Sequence, residues 1–142
     1  MATVTLAQAN EIIAKALDKA REMKIKPVTI VVLDESGHLK AAQREDAASM
    51  FRIEIATGKA WAAVGMGASS RALAARAKDN PNFFVTLAAT AGGKFLPQTG
   101  AVLIRNAAGE LLGAAGASGG TGEEDEAACK YSVEQAGLVA EV

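Results

Sequence analysis

The chain has 142 residues; 50% are hydrophobic but only 4% aromatic, so its core must be built from alanine, glycine and a few Leu, Ile and Val side chains. Lys and Arg number 15 against 16 Asp and Glu, a net charge of −1 that offers no basic excess for a nucleic-acid backbone, and 22% charged residues do not describe a disordered chain. One cysteine, Cys129, and one histidine, His38, exclude an internal disulfide and a Cys/His zinc site within one chain.

The length suits one domain over residues 1–142. No uncharged apolar run of about 18 residues predicts a membrane span. The N-terminal segment lacks the basic head and apolar run of a signal peptide. A cytoplasmic chain without a membrane partner is therefore expected.

Thr5 and Gln8 form a capping-box pattern ahead of a helix. Leu6, Ala9, Ile13, Ala16, Leu17, Ala20 and Met23 fall on one face of it. Pro27 disfavours helix in the residue before it, so the helix should end near Lys24. Val28 to Leu33 reads as a buried strand. Asp34-Glu35-Ser36-Gly37 is turn chemistry, and His38 to Arg44 is the returning strand. Met50 to Val64 reads as a helix with Ile53, Ala56, Ala60 and Val64 on one stripe, broken at Gly65-Met66-Gly67. Ser69 or Ser70 caps a short helix to Lys78. Asp79-Asn80-Pro81 ends it ahead of a short apolar piece, Phe83 to Ala89. A loop then passes Gly92-Gly93, Pro97 and Gly100.

Ala101 to Arg105 and Glu110 to Ala117 read as two more strands, joined by Asn106-Ala107-Ala108-Gly109. This second hairpin resembles the first: both are strand, Asx-x-x-Gly turn, strand. Two such hairpins suggest one antiparallel sheet. Thr121-x-x-Glu124 is a second capping box, starting a helix to about Ala136 that Gly137 can cap. Helix, hairpin, helices, hairpin, helix is an α+β order, with helices covering an antiparallel sheet.

Several residues are candidates for chemistry. His38 is the only imidazole, and so the only one for a metal or a proton. Arg44 can clamp a carboxylate, with Asp46 holding the guanidinium. Lys59 lies among alanines, as a cationic ligand group or as a snorkelling side chain. Ser118-Gly119-Gly120-Thr121 leads into a helix, but Glu123, Glu124, Asp125 and Glu126 follow and would repel a phosphate. Its glycines suit close approach to a ligand or another chain. Cys129 reads as a packing residue. The small residues Ala60, Ala62, Ala63, Gly65 and Gly67 suggest a face open to another subunit.

Val32-Leu33-Asp34-Glu35-Ser36-Gly37-His38-Leu39, Arg44-Glu45-Asp46-Ala47, Lys59-Ala60 and Gly116-Ala117-Ser118-Gly119-Gly120-Thr121 with Asp125-Glu126 resemble, in this order, the GlcG/HbpS family, which also includes the C-terminal domain of PduO. The resemblance covers Leu6 to Gly137. It implies a profilin-like α/β sandwich with an antiparallel sheet of about five strands. It further implies a homo-oligomer, from dimer to octamer, and in some members a haem cofactor. Motif positions carried over as ligand-binding candidates are Arg44, Asp46, Lys59, Ser118, Gly119, Gly120 and Asp125, with Thr121 beside them. Haem-binding members commonly give iron a His side chain, which here leaves His38. The expectation is a small-molecule binder handling haem or another tetrapyrrole. Two alternatives stand beside it: a small enzyme or sensor acting on an organic acid, with Asp46 or Asp125 as base, and an interaction protein without chemistry.

Overall fold

The computed structural model describes residues 2–142. Five helices and five strands follow one another as α1 (Leu6–Glu22), β1 (Thr29–Asp34), β2 (Leu39–Arg44), α2 (Arg52–Met66), α3 (Ser70–Asp79), α4 (Pro81–Thr90), β3 (Ala101–Arg105), β4 (Leu111–Ser118), α5 (Gly122–Gln135) and β5 (Val139–Glu141). The strands form one antiparallel sheet in the order β2-β1-β4-β3-β5. The expected α+β architecture of helices on an antiparallel sheet is the one observed.

Local chemistry explains most element boundaries. Both capping boxes form, at Thr5 with Gln8 and at Thr121 with Glu124. Ser69 caps α3, and its neighbour Ser70 does something different. The buried Ser70 hydroxyl accepts from the backbone N–H of Gly100 and Ala101 and donates to the Ala101 carbonyl, pinning α3 to the start of β3. The α2 helix runs through Gly65 and stops at Gly67, whose φ of 63° is left-handed. The apolar piece after Pro81 is a full helix, α4. The fourth strand pairing, β3 with β5, joins Val139–Glu141 to the sheet.

The two hairpins are alike in detail. Gly37 and Gly109 both have φ of 83°, and in each turn the Asx side chain accepts a backbone N–H four residues on. Each hairpin also carries one register irregularity, at Val32/Leu33 and at Ile104/Arg105.

Alternation along the strands divides the core. Ile30, Val32, Val102, Ile104, Ala115 and Ala117 pack under α1 and α5. Val31, Leu33, Ala101, Leu103 and Ala114 pack under α2, against Ala56, Ala60 and Ala63. A third cluster, Ala62, Ala68, Leu73, Phe84 and Phe95, lies on the outer side of α2. Ala60, Ala62 and Ala63 are thus fully buried inside this chain rather than facing another subunit. Ala60 and Ala63 are small because α2 lies close to the sheet: a Cβ at Gly116 would stand 2.5 Å from the Ala56 carbonyl oxygen.

Candidate functional site

The C-terminal end of β4 and the loop that follows it hold most of the candidate residues. Asp125, four residues past the Thr121 cap, turns back toward that loop. Its Oδ1 accepts from the Gly120 N–H at 2.9 Å, and its Oδ2 accepts from Lys59 Nζ at 3.3 Å. Lys59 Nζ also donates to the Ala117 carbonyl at 3.0 Å. Lys59 is 6% exposed and Asp125 1%, so the ammonium does not snorkel to water. The pair ties α2, β4 and α5 together beneath the glycine loop. Both Asp125 oxygens are engaged in this link.

The glycine loop is folded against its own chain. A Cβ on Gly119 would meet the Pro27 carbonyl at 2.5 Å, and one on Gly120 would meet Ile25 Cγ2 at 2.5 Å. The missing side chains therefore make room for intramolecular packing. Thr121 has its hydroxyl in the helix cap. Cys129, one turn beyond Asp125, is fully buried. Burial pushes its thiol up from the ordinary range; the charges of Asp125 and Glu126 add to the effect and Lys59 opposes it. It is a protonated packing residue.

A second group lies beside this link. Ser118 and Arg44 both pair with Thr29, so the three side chains share one face of the sheet. Arg52, at the start of α2, donates from Nη1 to Ser118 Oγ at 3.2 Å. Arg44 donates from Nη1 to the Ala48 carbonyl at 2.7 Å, so backbone rather than Asp46 holds it. Asp46 is exposed beside it. His38 lies away from both groups, in the β1–β2 turn, with its side chain 81% exposed and Nδ1 3.9 Å from Asp34 Oδ1. Among the described residues no group of three or more His, Cys, Asp or Glu is placed to hold a metal.

Sequence reasoning missed three features. Arg52 lies seven residues before Lys59, two turns along the same helix, so both cations address the end of β4; that spacing was the available signal. Arg71 of α3 bonds Glu126 through Nε and Nη2 and also reaches Glu123, bracing α3 against α5. These bonds, first to Glu126 and then to Glu123, raise the Arg71 pKa. Finally, an open groove of about 520 Å³ runs between α2 and the loop after α4. Its walls include Ile53, Ile55, Gly58, Phe95 and Leu96, with Glu54, Thr57 and Lys94 as polar positions. It arises where the Leu96 N–H reaches the Gly58 carbonyl, at a glycine too close to Leu96 for any side chain.

The fold is thus that of an α+β domain whose antiparallel sheet is covered on both faces, with an apolar groove beside α2 and a buried Lys59–Asp125 pair at the end of β4. Residues 4–134 match the family described as haem degrading protein HbpS-like. The chain belongs to this HbpS-like family. Its fold is also that of several solved structures. A chain from the crystal structure of a PduOC:heme complex is 21% identical, covers 99% of both chains and has a TM-score of 0.87. Klebsiella pneumoniae protein ORFY, of family DUF336, is 25% identical over 96% of this chain and 92% of that one, with a TM-score of 0.87. A double mutant of Streptomyces reticuli HbpS is 23% identical over 95% and 88%, with a TM-score of 0.81. Comparison with curated proteins gives no significant match.

Proposed function

We propose that this chain is a haem-related ligand-binding protein, with the tetrapyrrole seated in the groove beside α2. Membership of the HbpS-like family supports the ligand class. The observation that carries the reading is the groove itself. Its volume of about 520 Å³ lies within the range of small-molecule sites, about 300–1,000 Å³. Aliphatic walls at Ile53, Ile55 and Leu96 suit a porphyrin face, and the exposed Lys94 suits a propionate. His38 is the only imidazole, and it faces solvent outside the groove lining. We propose it as an iron ligand only for haem bound at the turn or shared with a second copy.

Titration with haemin tests the reading. The expected result is a saturable Soret shift that Thr57→Trp, which fills the groove, and Lys94→Glu both weaken. A Soret band that never saturates, or that both variants leave unchanged, rejects the groove as the haem site. His38→Ala separates ligation from seating: loss of the iron-ligand bands with retained binding assigns the iron to His38.

We also propose that copies of the chain associate. Exposed apolar side chains on α4, Phe83 at 51% and Val85 at 71%, support this reading.

A further inference from the structure

We infer that Arg44 and Arg52, set over Thr29 and Ser118, form a binding site for an oxyanion, the carboxylate or phosphate group of a small ligand. The inference does not rest on haem binding.

The placement follows from register. Thr29 pairs with Ser118 on one side and Arg44 on the other, which puts three polar side chains in one row across β2, β1 and β4. Every other position deeper on this face of β1 is apolar, Val31 and then Leu33. Arg52 reaches the same row from α2 and meets Ser118 Oγ at 3.2 Å. Four polar residues from four elements therefore converge at one end of the sheet.

Their hydrogen-bonding is incomplete. A guanidinium carries five N–H donors in a planar fork. Arg44 and Arg52 each make one hydrogen bond, to the Ala48 carbonyl and to Ser118 Oγ. Among the described residues, no carboxylate lies within 4.0 Å of either. Arg21 and Arg105 each have one and Arg71 has two, whereas the exposed Arg76 has none. The nearest acid in the chain to Arg44, Glu45, already serves the Val28 N–H and Arg21. The Thr29 hydroxyl is fully buried and has no hydrogen-bond partner. A buried hydroxyl is ordinarily satisfied, so an orphan in a row with Arg44 and with the Ser118 that Arg52 meets calls for an acceptor. An oxyanion answers it, because it accepts from hydroxyl and guanidinium together and balances two uncompensated positive charges.

Two features around the row agree with that ligand. The first residues of α2 have no side-chain cap at Phe51, and although Glu54 lies in the same turn, it is Arg52, the first helical residue, that reaches the row at Ser118. Met50 and Phe51, 72% and 62% exposed, stand immediately before Arg52 and offer apolar surface to the ligand's carbon skeleton.

The test is titration of the intact ¹⁵N-labelled protein with acetate, with inorganic phosphate and, at matched ionic strength, with chloride. Saturable shifts of the Arg44 and Arg52 Nε–H and Thr29 amide signals are expected with acetate or phosphate. The better ligand of the two identifies the headgroup. Arg44→Met and Arg52→Met are each expected to weaken binding about tenfold, the scale of one lost charge-assisted hydrogen bond. Both arginines are at least partly exposed, so both variants should fold, as unchanged backbone spectra elsewhere will show. Arg76→Met, at an exposed arginine on α3, should leave binding intact. Shifts that are linear in concentration, that chloride reproduces, or that survive both substitutions overturn the inference. Haemin binding can fail in this protein without affecting any of these outcomes.

Discussion

Lys59 and Asp125 form an ion pair that almost no water reaches. Removing one partner leaves the other charge buried alone, whereas removing both leaves an apolar gap. Asp125→Ala is expected to destabilise the fold by about 3–5 kcal/mol in urea denaturation. Lys59→Met combined with Asp125→Leu is expected to cost less than the sum of the single changes, and a double-mutant cycle measures the difference. Cys129 gives a pH signature. Its pKa is raised in the folded chain, so the proton is held more tightly there than in the unfolded one. Its contribution is complete below the thiol's ordinary value of 9.0 and is lost as pH rises above it. Disulfide-exchange reagents should label Cys129 slowly in the native protein and rapidly in denaturant. At this scale the sequence identified Lys59 and Asp125 but not their contact. They are 66 positions apart, and they come within 3.3 Å only because α2 and the first turn of α5 meet at the end of β4 from opposite faces of the sheet. Arg52 escaped notice because a basic residue at the edge of an alanine-rich helix reads as solvated surface until its partner across the sheet is known.

Elements with local start and stop chemistry were legible. Both capping boxes predicted their helices, and the paired Asx-x-x-Gly turns predicted two hairpins that agree in φ, in side-chain bonding and in the position of the irregularity. Thr121→Ala should cost about 1 kcal/mol, as a lost N-cap does. It should also loosen Gly120, whose N–H is bonded to Asp125; faster amide exchange at Gly120 is the measurement. What failed at this scale lacked a local signal. The β5 strand has three residues, too few for any periodicity to show, and it exists because Leu103, Ile104 and Arg105 leave an open edge for Val139–Glu141. The Arg105–Glu141 pair at 2.6 Å closes that edge. The stripe of α1 was also displaced: Ile12 is buried and Leu6 is 55% exposed, because α1 rests on α5 as well as on the sheet.

The sheet order brings the two hairpins together through β1 and β4, so the polar ends of the strands meet beside one glycine loop. One face is sealed by α1 and α5; the other carries α2, with α3 and α4 outside it. The outermost helix, α4, buries only Phe84 among its ten residues. If copies associate through this helix, sedimentation should show a species heavier than the 14.5 kDa chain, and Val85→Glu should return it to the monomer. A wild-type chain that sediments as a monomer at all concentrations rejects self-association. No helix among the described residues is long and apolar enough to cross a membrane, so α4 is too short to be a span. The close contact between Gly116 and Ala56 acts on this scale as a spacer gauge. The 15-residue α2 carries both cations that reach the end of β4, and its height above the sheet is set by the absence of a single methyl group. Gly116→Ala would lift the helix rather than fill a hole. Its effect should surface at Arg52 and Lys59, one helical turn to either side, as a change in reach.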